Sequence, residues 1–127
     1  MLDQFQPHTT IAVGDLDRAK TWYREKLGLE PTSEDMGGVW YDCAGGRFAL
    51  FPTPFAGTAQ NTVMEWSVDD VEKVVEDLKS RGVVFDTFEM EGITWEGEIA
   101  SMGGHKGVWF KDSEGNTLAI TTLAITQ

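Results

Sequence analysis

Two similar stretches of sequence constrain the fold more than any other feature of the chain. The first is HTTIAVGDLDRAKTWYREKLGL at residues 8–29, and the second is VMEWSVDDVEKVVEDLKSRGV at residues 63–83. In each stretch apolar residues first alternate with polar ones, which is typical of a strand, and then recur with a helical period. An alignment that places Asp15 on Asp70 relates the two stretches, which we interpret as copies of one strand–helix unit.

The first copy predicts a strand over residues 9–13, followed by a helix that begins after Asp15 and ends at Gly28. An aspartate in the N-cap position accepts hydrogen bonds from the unpaired N–H groups of the first helical turn. Glycine suits the left-handed conformation in which many helices end.

The second copy predicts a strand over residues 62–68 and a helix that ends at Gly82. We predict Asp69 as its N-cap, because Glu72 follows three residues later and completes a capping-box pattern.

Turn signals and short apolar runs divide the rest of the chain. The segment 52–61 contains two prolines and a glycine, and we interpret it as a linker between modules 1–52 and 61–127 of a single domain. The glycine-rich segment 91–107 is not assigned to any element. Further strands are predicted at residues 32–36, 39–43, 47–51, 83–89, 108–111 and 117–122. The order is therefore β-α-β-β-β, linker, β-α-β-β-β, which is an α+β pattern.

Charge and cysteine content narrow the range of functions. The 127 residues carry a formal charge of −11, which argues against a nucleic-acid partner or an anionic membrane surface. Residues 65–98 hold eleven of the acidic side chains, so a solvated acidic face is expected there. Cys43 is the only cysteine, and no signal peptide is recognisable at the start, so we expect a cytoplasmic protein.

Three segments together resemble the vicinal oxygen chelate superfamily, which includes glyoxalase I, bleomycin-resistance proteins and extradiol dioxygenases. They are VGDLDRAKTWYREKLGL, SVDDVEKVVEDLKSRGV and VWFKDSEGNTLAI. The resemblance implies two βαβββ modules that form a cupped eight-stranded mixed sheet around a cleft, and it implies a homodimer. A ferredoxin-like fold is the structural alternative, but it does not explain the fourth strand of each half.

The resemblance also identifies up to four positions from which members of the family bind a metal. These positions correspond to His8, Ala49, Val63 and Ala119, and only the first side chain can coordinate a metal. We therefore expect no metal cofactor. The alternative is a rebuilt site for a divalent metal such as Zn, Ni, Fe or Mn, in which His8, Glu65 and His105 are the candidate ligands.

His8 and Glu65 are the candidate catalytic residues, because a histidine and a carboxylate that share a cleft can form an acid–base couple. The alternative is that His8 only makes a hydrogen bond to a neighbouring inward-facing residue. Strand alternation and loop aromatics supply the candidate ligand-binding residues, which are Thr10, Ala12, Phe51, Phe55, Val63, Ser67, Trp95, Ala119 and Thr121.

These observations favour a metal-free, glyoxalase-like or bleomycin-resistance-like protein that binds a small aromatic or amphipathic molecule in its cleft. Such binding serves sequestration, resistance or sensing. The main alternative is a lyase, isomerase or dioxygenase of the same superfamily, with a rebuilt metal site or with His8 and Glu65 as acid and base. A scaffold protein that uses the acidic face at residues 65–98 is a third interpretation.

Overall fold

The computed structural model describes residues 1–35 and 37–122, and Met36 and residues 123–127 lie outside the described part. A short 3₁₀ turn at Leu2–Gln4 precedes the first strand. The first half then contains β1 (Thr9–Val13), α1 (Leu16–Leu27), β2 (Ser33–Asp35), β3 (Gly38–Cys43) and β4 (Gly46–Pro52). The second half contains β5 (Thr62–Ser67), α2 (Val71–Ser80), β6 (Phe85–Asp86), β7 (Thr94–Glu96), β8 (Ile99–Met102), β9 (His105–Lys111) and β10 (Thr117–Thr121).

The strands form two mixed sheets. Sheet A has the order β1-β4-β3-β2, and sheet B has the order β5-β10-β9-β8-β7, with β6 also paired to β9. In both sheets the first strand of the half is parallel to its neighbour, and the other pairs are antiparallel. The α+β class and the two-module plan are confirmed. The ten described strands are divided into sheets of four and six, whereas we predicted eight strands in one sheet.

The two additional strands, β7 and β8, lie in the glycine-rich segment 91–107, whose strand pattern is interrupted by glycines. Only Phe85–Asp86 of the predicted strand 83–89 pairs with β9. The segment 91–107, which we did not assign, contains the β7–β8 hairpin and the start of β9. Gly97 has φ 64° in the turn between β7 and β8, a conformation that favours glycine, so this glycine closes a hairpin and does not mark an irregular loop.

The two helices begin at aspartates, although not both at the predicted one. Asp15 caps α1 and accepts a hydrogen bond from the Arg18 N–H at 3.0 Å, as predicted. The N-cap of α2 is Asp70, which accepts from the Lys73 N–H at 3.0 Å, so the prediction of Asp69 was wrong. A capping side chain reaches the N–H group of the third helical residue only from the position directly before the helix. Helix α2 begins at Val71, so Asp70 holds that position and Asp69 does not.

One face of each sheet packs against the helices and forms the core. In sheet A the buried side chains include Ile11, Val13 and Leu50, each at most 1% exposed. The two halves share this core, because the ring of Trp22 on α1 stacks on Phe110 of sheet B with centroids 6.3 Å apart. The opposite face, which we call the outer face, carries the alternate residues of the strands. Neither helix of the described chain is long and apolar enough to cross a membrane.

The loop between β9 and β10, residues 112–116, joins the second half to the first through a buried carboxylate. Glu114 is 8% exposed, and its side chain accepts hydrogen bonds from the Gly14 and Asp15 N–H groups at 3.0 and 2.9 Å. It also accepts from the Arg18 guanidinium and the Ser113 hydroxyl at 2.9 and 2.7 Å. The Arg18 guanidinium, helped by these other donors, lowers the pKa of the Glu114 carboxyl to about 2.

A second carboxylate in the same loop makes a parallel set of contacts. Asp112 is buried and accepts a hydrogen bond from the Tyr23 hydroxyl of α1 at 2.7 Å. Asn116 donates its side-chain amide to Asp112 at 3.0 Å and to the Ala12 carbonyl of β1 at 2.8 Å. We call these contacts, together with those of Glu114, the interhalf clasp.

Candidate functional site

Two alanines on the outer face each lie directly opposite a tryptophan. In sheet A, Ala49 of β4 pairs with Trp40 of β3, and in sheet B, Ala119 of β10 pairs with Trp109 of β9. Directly paired residues share a face, with Cβ atoms about 5 Å apart. Ala49 and Ala119 are 5% and 1% exposed, so solvent reaches little of either residue.

His8 lies just before β1 and is exposed. Its ring contacts the Trp40 indole edge-to-face, with centroids 4.6 Å apart and planes at 68°. The Arg47 guanidinium lies 4.9 Å from the same indole, and Asp35 accepts a hydrogen bond from the indole N–H at 3.0 Å. The imidazole is therefore one of three side chains, with those of Arg47 and Asp35, that contact the indole of Trp40.

Glu65 lies on β5, opposite Ala119, and is exposed. Its carboxylate accepts a hydrogen bond at 2.9 Å from the hydroxyl of Thr121, a residue that is only 2% exposed. Within residues 1–35 and 37–122 no hydrogen bond or ion pair joins Glu65 to His8. The two candidate catalytic side chains thus have separate partners, on different sheets.

The candidate ligand residues of the first half share the outer face of sheet A. Thr10 pairs with Ala49, and Ala12 pairs with Phe51. The Phe51 side chain is 44% exposed. Phe55, in the linker that follows β4, is 73% exposed.

The candidates of the second half are divided between the outer face and the core. Ser67 is exposed on β5 and pairs with Thr121. Val63 packs against the core, because a register shift between β5 and β10 leaves it without a paired residue. Trp95, on β7, belongs to a group of three aromatic side chains.

This group, the aromatic cluster, consists of Phe88, Trp95 and Trp109. The centroid of Phe88 lies 5.4 Å from that of Trp95 and 5.0 Å from that of Trp109, and the two indoles are 6.2 Å apart. All three contacts are edge-to-face, with interplanar angles of 61–83°. Such pairs stabilise an aromatic group beyond simple burial. All three residues are half-buried, so part of the cluster faces solvent.

A groove of about 610 Å³ runs along the aromatic cluster on the outer face of sheet B. Its apolar part is lined by Phe88, Met90, Ile93, Met102 and Trp109. Its polar part is lined by Gln60, Asn61, Thr62, Asp86, Thr87, Lys111 and Thr117, with an ion pair of 2.8 Å between the Lys111 ammonium and Asp86. An adjoining hollow of about 410 Å³ includes Glu89 and Trp95, and shares Thr87, Phe88, Met90 and Ile93 with the groove.

The residues that line the groove were not among the ligand-binding residues chosen from the sequence, and of those chosen residues only Trp95 lines the adjoining hollow. A signal was present, because Phe88 and Met90 alternate with acidic residues and Trp95 lies two residues beyond Ile93. Alternation of this kind is typical of strands and extended segments with one apolar side.

The side chains at the four family metal positions do not fit a metal centre. Ala49, Val63 and Ala119 offer no donor atom, and His8 packs on Trp40. Across the described ranges, no group of three His, Cys, Asp or Glu side chains is arranged to hold a metal ion. His105 is half-buried at the start of β9, where it pairs with Met102.

Paired βαβββ modules, a core shared by the two halves and a groove on the outer face are the features expected of the vicinal oxygen chelate class. The model of the Glyoxalase/Bleomycin resistance protein/Dioxygenase superfamily matches residues 6–120 of the chain. The protein therefore belongs to this superfamily.

Solved structures with the same fold cover nearly the whole chain. The chain is similar to UcmS2, with 21% identity, coverage of 93% of this chain and 97% of that one, and a TM-score of 0.72. TnmS3, described as an antibiotic binding protein from Streptomyces sp. CB03234, has 20% identity, coverage of 91% and 93%, and a TM-score of 0.63. Lactoylglutathione lyase from Agrobacterium tumefaciens has 20% identity, coverage of 90% of both chains, and a TM-score of 0.63. No curated protein sequence matches the chain.

Proposed function

We propose that this protein binds a small aromatic or amphipathic molecule in the groove beside the aromatic cluster, by burial and without a metal. The pairing of Ala119 with Trp109 carries the proposal. The family places a potential metal ligand at position 119, and this chain has a methyl group there and an indole next to it. Trp109 also lines the groove, so an apolar wall lies directly beside a position that offers no metal ligand.

The dimensions and lining of the groove suit a ligand with an apolar body and a polar end. Its volume of about 610 Å³ lies within the range usual for small-molecule sites. Phe88, Met90 and Ile93 offer flat and flexible apolar surface, and methionine adapts to ligands of different shape. Asn61 and Thr117 also line the groove, where amide and hydroxyl groups can orient a polar substituent.

Sequestration, resistance or sensing would each require only such binding. The fold accommodates both binding and catalysis, since an antibiotic binding protein, TnmS3, and a lactoylglutathione lyase share it equally well, so the proposal rests on the lining of the groove. A cytoplasmic homodimer, as expected from the sequence, remains part of the proposal. The exposed aromatic rings of Phe51 and Phe55 support association through the outer face of sheet A.

The binding proposal is tested with the neutral planar probe 2-naphthylmethanol, titrated into isotopically labelled protein while the indole N–H signals are followed by NMR. We expect saturable shifts with a Kd of about 0.1 mM, a typical value for a ligand of this size. Trp109→Leu should weaken binding at least about tenfold, because it removes a groove wall.

Trp40→Leu is the matched control, because Trp40 stands opposite an alanine in the other sheet and does not line the groove. It should leave the Kd unchanged. Absence of saturable shifts, or equal effects of the two substitutions, would overturn the groove as the binding site. Elemental analysis of protein purified without chelator tests the metal-free part, which a stoichiometric metal that disappears in His8→Ala would refute.

A further inference from the structure

We infer that the groove selects a positively charged ligand, a cation with a planar apolar body, over its neutral and anionic analogues. This inference rests on the proposed function and adds the charge of the ligand to it. Three features carry it: the sign of the charges that line the groove and the hollow, the acidic surroundings of these walls, and the aromatic cluster.

The first feature is the sign of the charges that line the groove and the adjoining hollow. Asp86 lines the groove and Glu89 lines the hollow, whereas Lys111 is the only basic residue that lines either. The ammonium of Lys111 is already paired with Asp86 at 2.8 Å. No described residue forms an ion pair with Glu89, so its carboxylate contributes an uncompensated negative charge.

The second feature is the acidic surrounding of these walls. Residues 85–98 contain five acidic side chains and no basic one. One of the five, Glu98, is paired with Lys79 of α2 at 2.5 Å. The nearby Lys106 is paired with Glu72, so neither lysine is left to attract an anion. A formal charge of −11 on the whole protein adds a long-range potential of the same sign.

The third feature is the aromatic cluster, which favours cations over other ligands of the same shape. The faces of tryptophan and phenylalanine rings carry negative electrostatic potential and attract a cation within about 6 Å of the centroid. Trp95 and Trp109 are both half-buried, so a ligand in the groove or hollow reaches part of each ring. The carboxylates and the aromatic rings therefore both favour a cationic ligand.

Lys111 is the one feature that favours the opposite charge. An anionic ligand would have to displace Asp86 from the lysine and then lie close to that displaced carboxylate. A cationic ligand instead takes the place of the lysine beside Asp86, and leaves the ammonium of Lys111 free to extend into solvent, since that side chain is 57% exposed. Replacing the Lys111–Asp86 ion pair therefore costs less free energy for a cationic ligand than for an anionic one.

The test compares three probes with one skeleton: 2-naphthylmethylammonium, 2-naphthylmethanol and 2-naphthoate. Affinities are measured by NMR titration at low ionic strength. The ammonium should bind about fivefold more tightly than the alcohol, and the carboxylate should bind most weakly. High salt should reduce the advantage of the ammonium and leave the affinity for the alcohol unchanged.

Substitutions of charged residues that line the groove and the hollow test which side chains produce the preference for the ammonium. The double variant Asp86→Asn, Glu89→Gln should remove most of the preference for the ammonium over the alcohol, measured as the ratio of the two affinities. Lys111→Met should increase the affinity for the ammonium about threefold, because it removes a competitor for Asp86. Glu30→Gln, an exposed carboxylate that lines neither the groove nor the hollow, is the control and should change nothing.

The possible failures are distinguishable. If the alcohol binds and the ammonium binds no more tightly, or if the carboxylate binds best, the charge inference is wrong and the proposed function stands. If none of the three probes binds, both are wrong. A preference for the ammonium that survives the double variant would assign the charge effect to other residues and overturn the role of Asp86 and Glu89.

Discussion

Ala119 lies directly opposite Trp109 on neighbouring strands of sheet B, and its methyl group is almost completely buried. Ala49 and Trp40 repeat this relationship in sheet A. Two of the positions from which the family binds a metal are thus both small and adjacent to an indole. At both positions an apolar environment therefore surrounds a residue that offers no ligand atom.

Restoring a carboxylate at one of these positions should destabilise the protein. Ala119→Glu would place a charge beside the Trp109 ring and opposite the carboxylate of Glu65, in a site that is 1% exposed. We expect a loss of about 3 kcal/mol or more in the free energy of unfolding, measured by urea denaturation at pH 7. Ala119→Leu adds bulk without charge and should cost about 1–2 kcal/mol. Unchanged stability of both variants would show that the space beside Trp109 is open.

Removing the candidate catalytic histidine should have little effect. His8 is exposed, and among residues 1–35 and 37–122 its ring contacts the indole of Trp40. His8→Ala should therefore lower the free energy of unfolding by about 1 kcal/mol or less, and should not change the affinity of the groove for 2-naphthylmethanol. Thermal unfolding and the NMR titration check the two statements. A large loss of affinity would contradict the assignment of the site to sheet B.

The Glu114 carboxylate should make stability depend on pH in an acidic range. Its pKa is about 2 in the folded protein and near the ordinary glutamate value of 4.5 in the unfolded chain. A lowered folded-state pKa means that the stabilisation is complete above about pH 4.5 and is lost as the pH falls towards 2.

Glu114→Gln should therefore destabilise the protein by about 2 kcal/mol at pH 7. The value is smaller than the pKa difference alone implies, because Arg18 is solvent-exposed and its charge is screened. The difference between the variant and the original protein should shrink as the pH is lowered from 4.5 to 2, as followed by urea denaturation at several pH values. A difference that stays constant with pH would contradict the role of the charged carboxylate.

The two consecutive aspartates before α2 provide a matched pair for testing the cap. Asp70 accepts a hydrogen bond from the Lys73 N–H, whereas Asp69 precedes the cap. Asp70→Ala should cost about 1 kcal/mol of stability, and Asp69→Ala should change it by less than about 0.5 kcal/mol. Equal effects of the two substitutions in urea denaturation would place the start of the helix elsewhere.

The sequence predicts the elements that depend on local chemistry. The bounds of α1 follow from Asp15 and Gly28, and both act as expected. For α2, two adjacent aspartates are equally good caps by local criteria, and the capping-box pattern favoured the wrong one. The alignment of the repeat, which places Asp15 on Asp70, contained the correct answer.

The groove could not be predicted to the same extent, because its walls depend on register between distant segments. The contact between Ala119 and Trp109 requires the pairing of β9 with β10, and the position of Val63 requires a register shift on the other side of β10. The aromatic cluster joins Phe88, which lies outside any strand, to Trp95 on β7 and Trp109 on β9. Local propensity does not specify such relationships.

The interhalf clasp has a consequence for how copies of this protein can associate. Its contacts join Tyr23 and Arg18 of the first half to the β9–β10 loop of the second, and none of them requires that the two halves belong to the same molecule. An exchange of halves between two molecules would preserve every one of these bonds. The strength of the clasp therefore does not decide whether the two halves of one chain pack together or are exchanged between two chains. That choice depends on the segment from Pro52 to Thr62, which connects the halves.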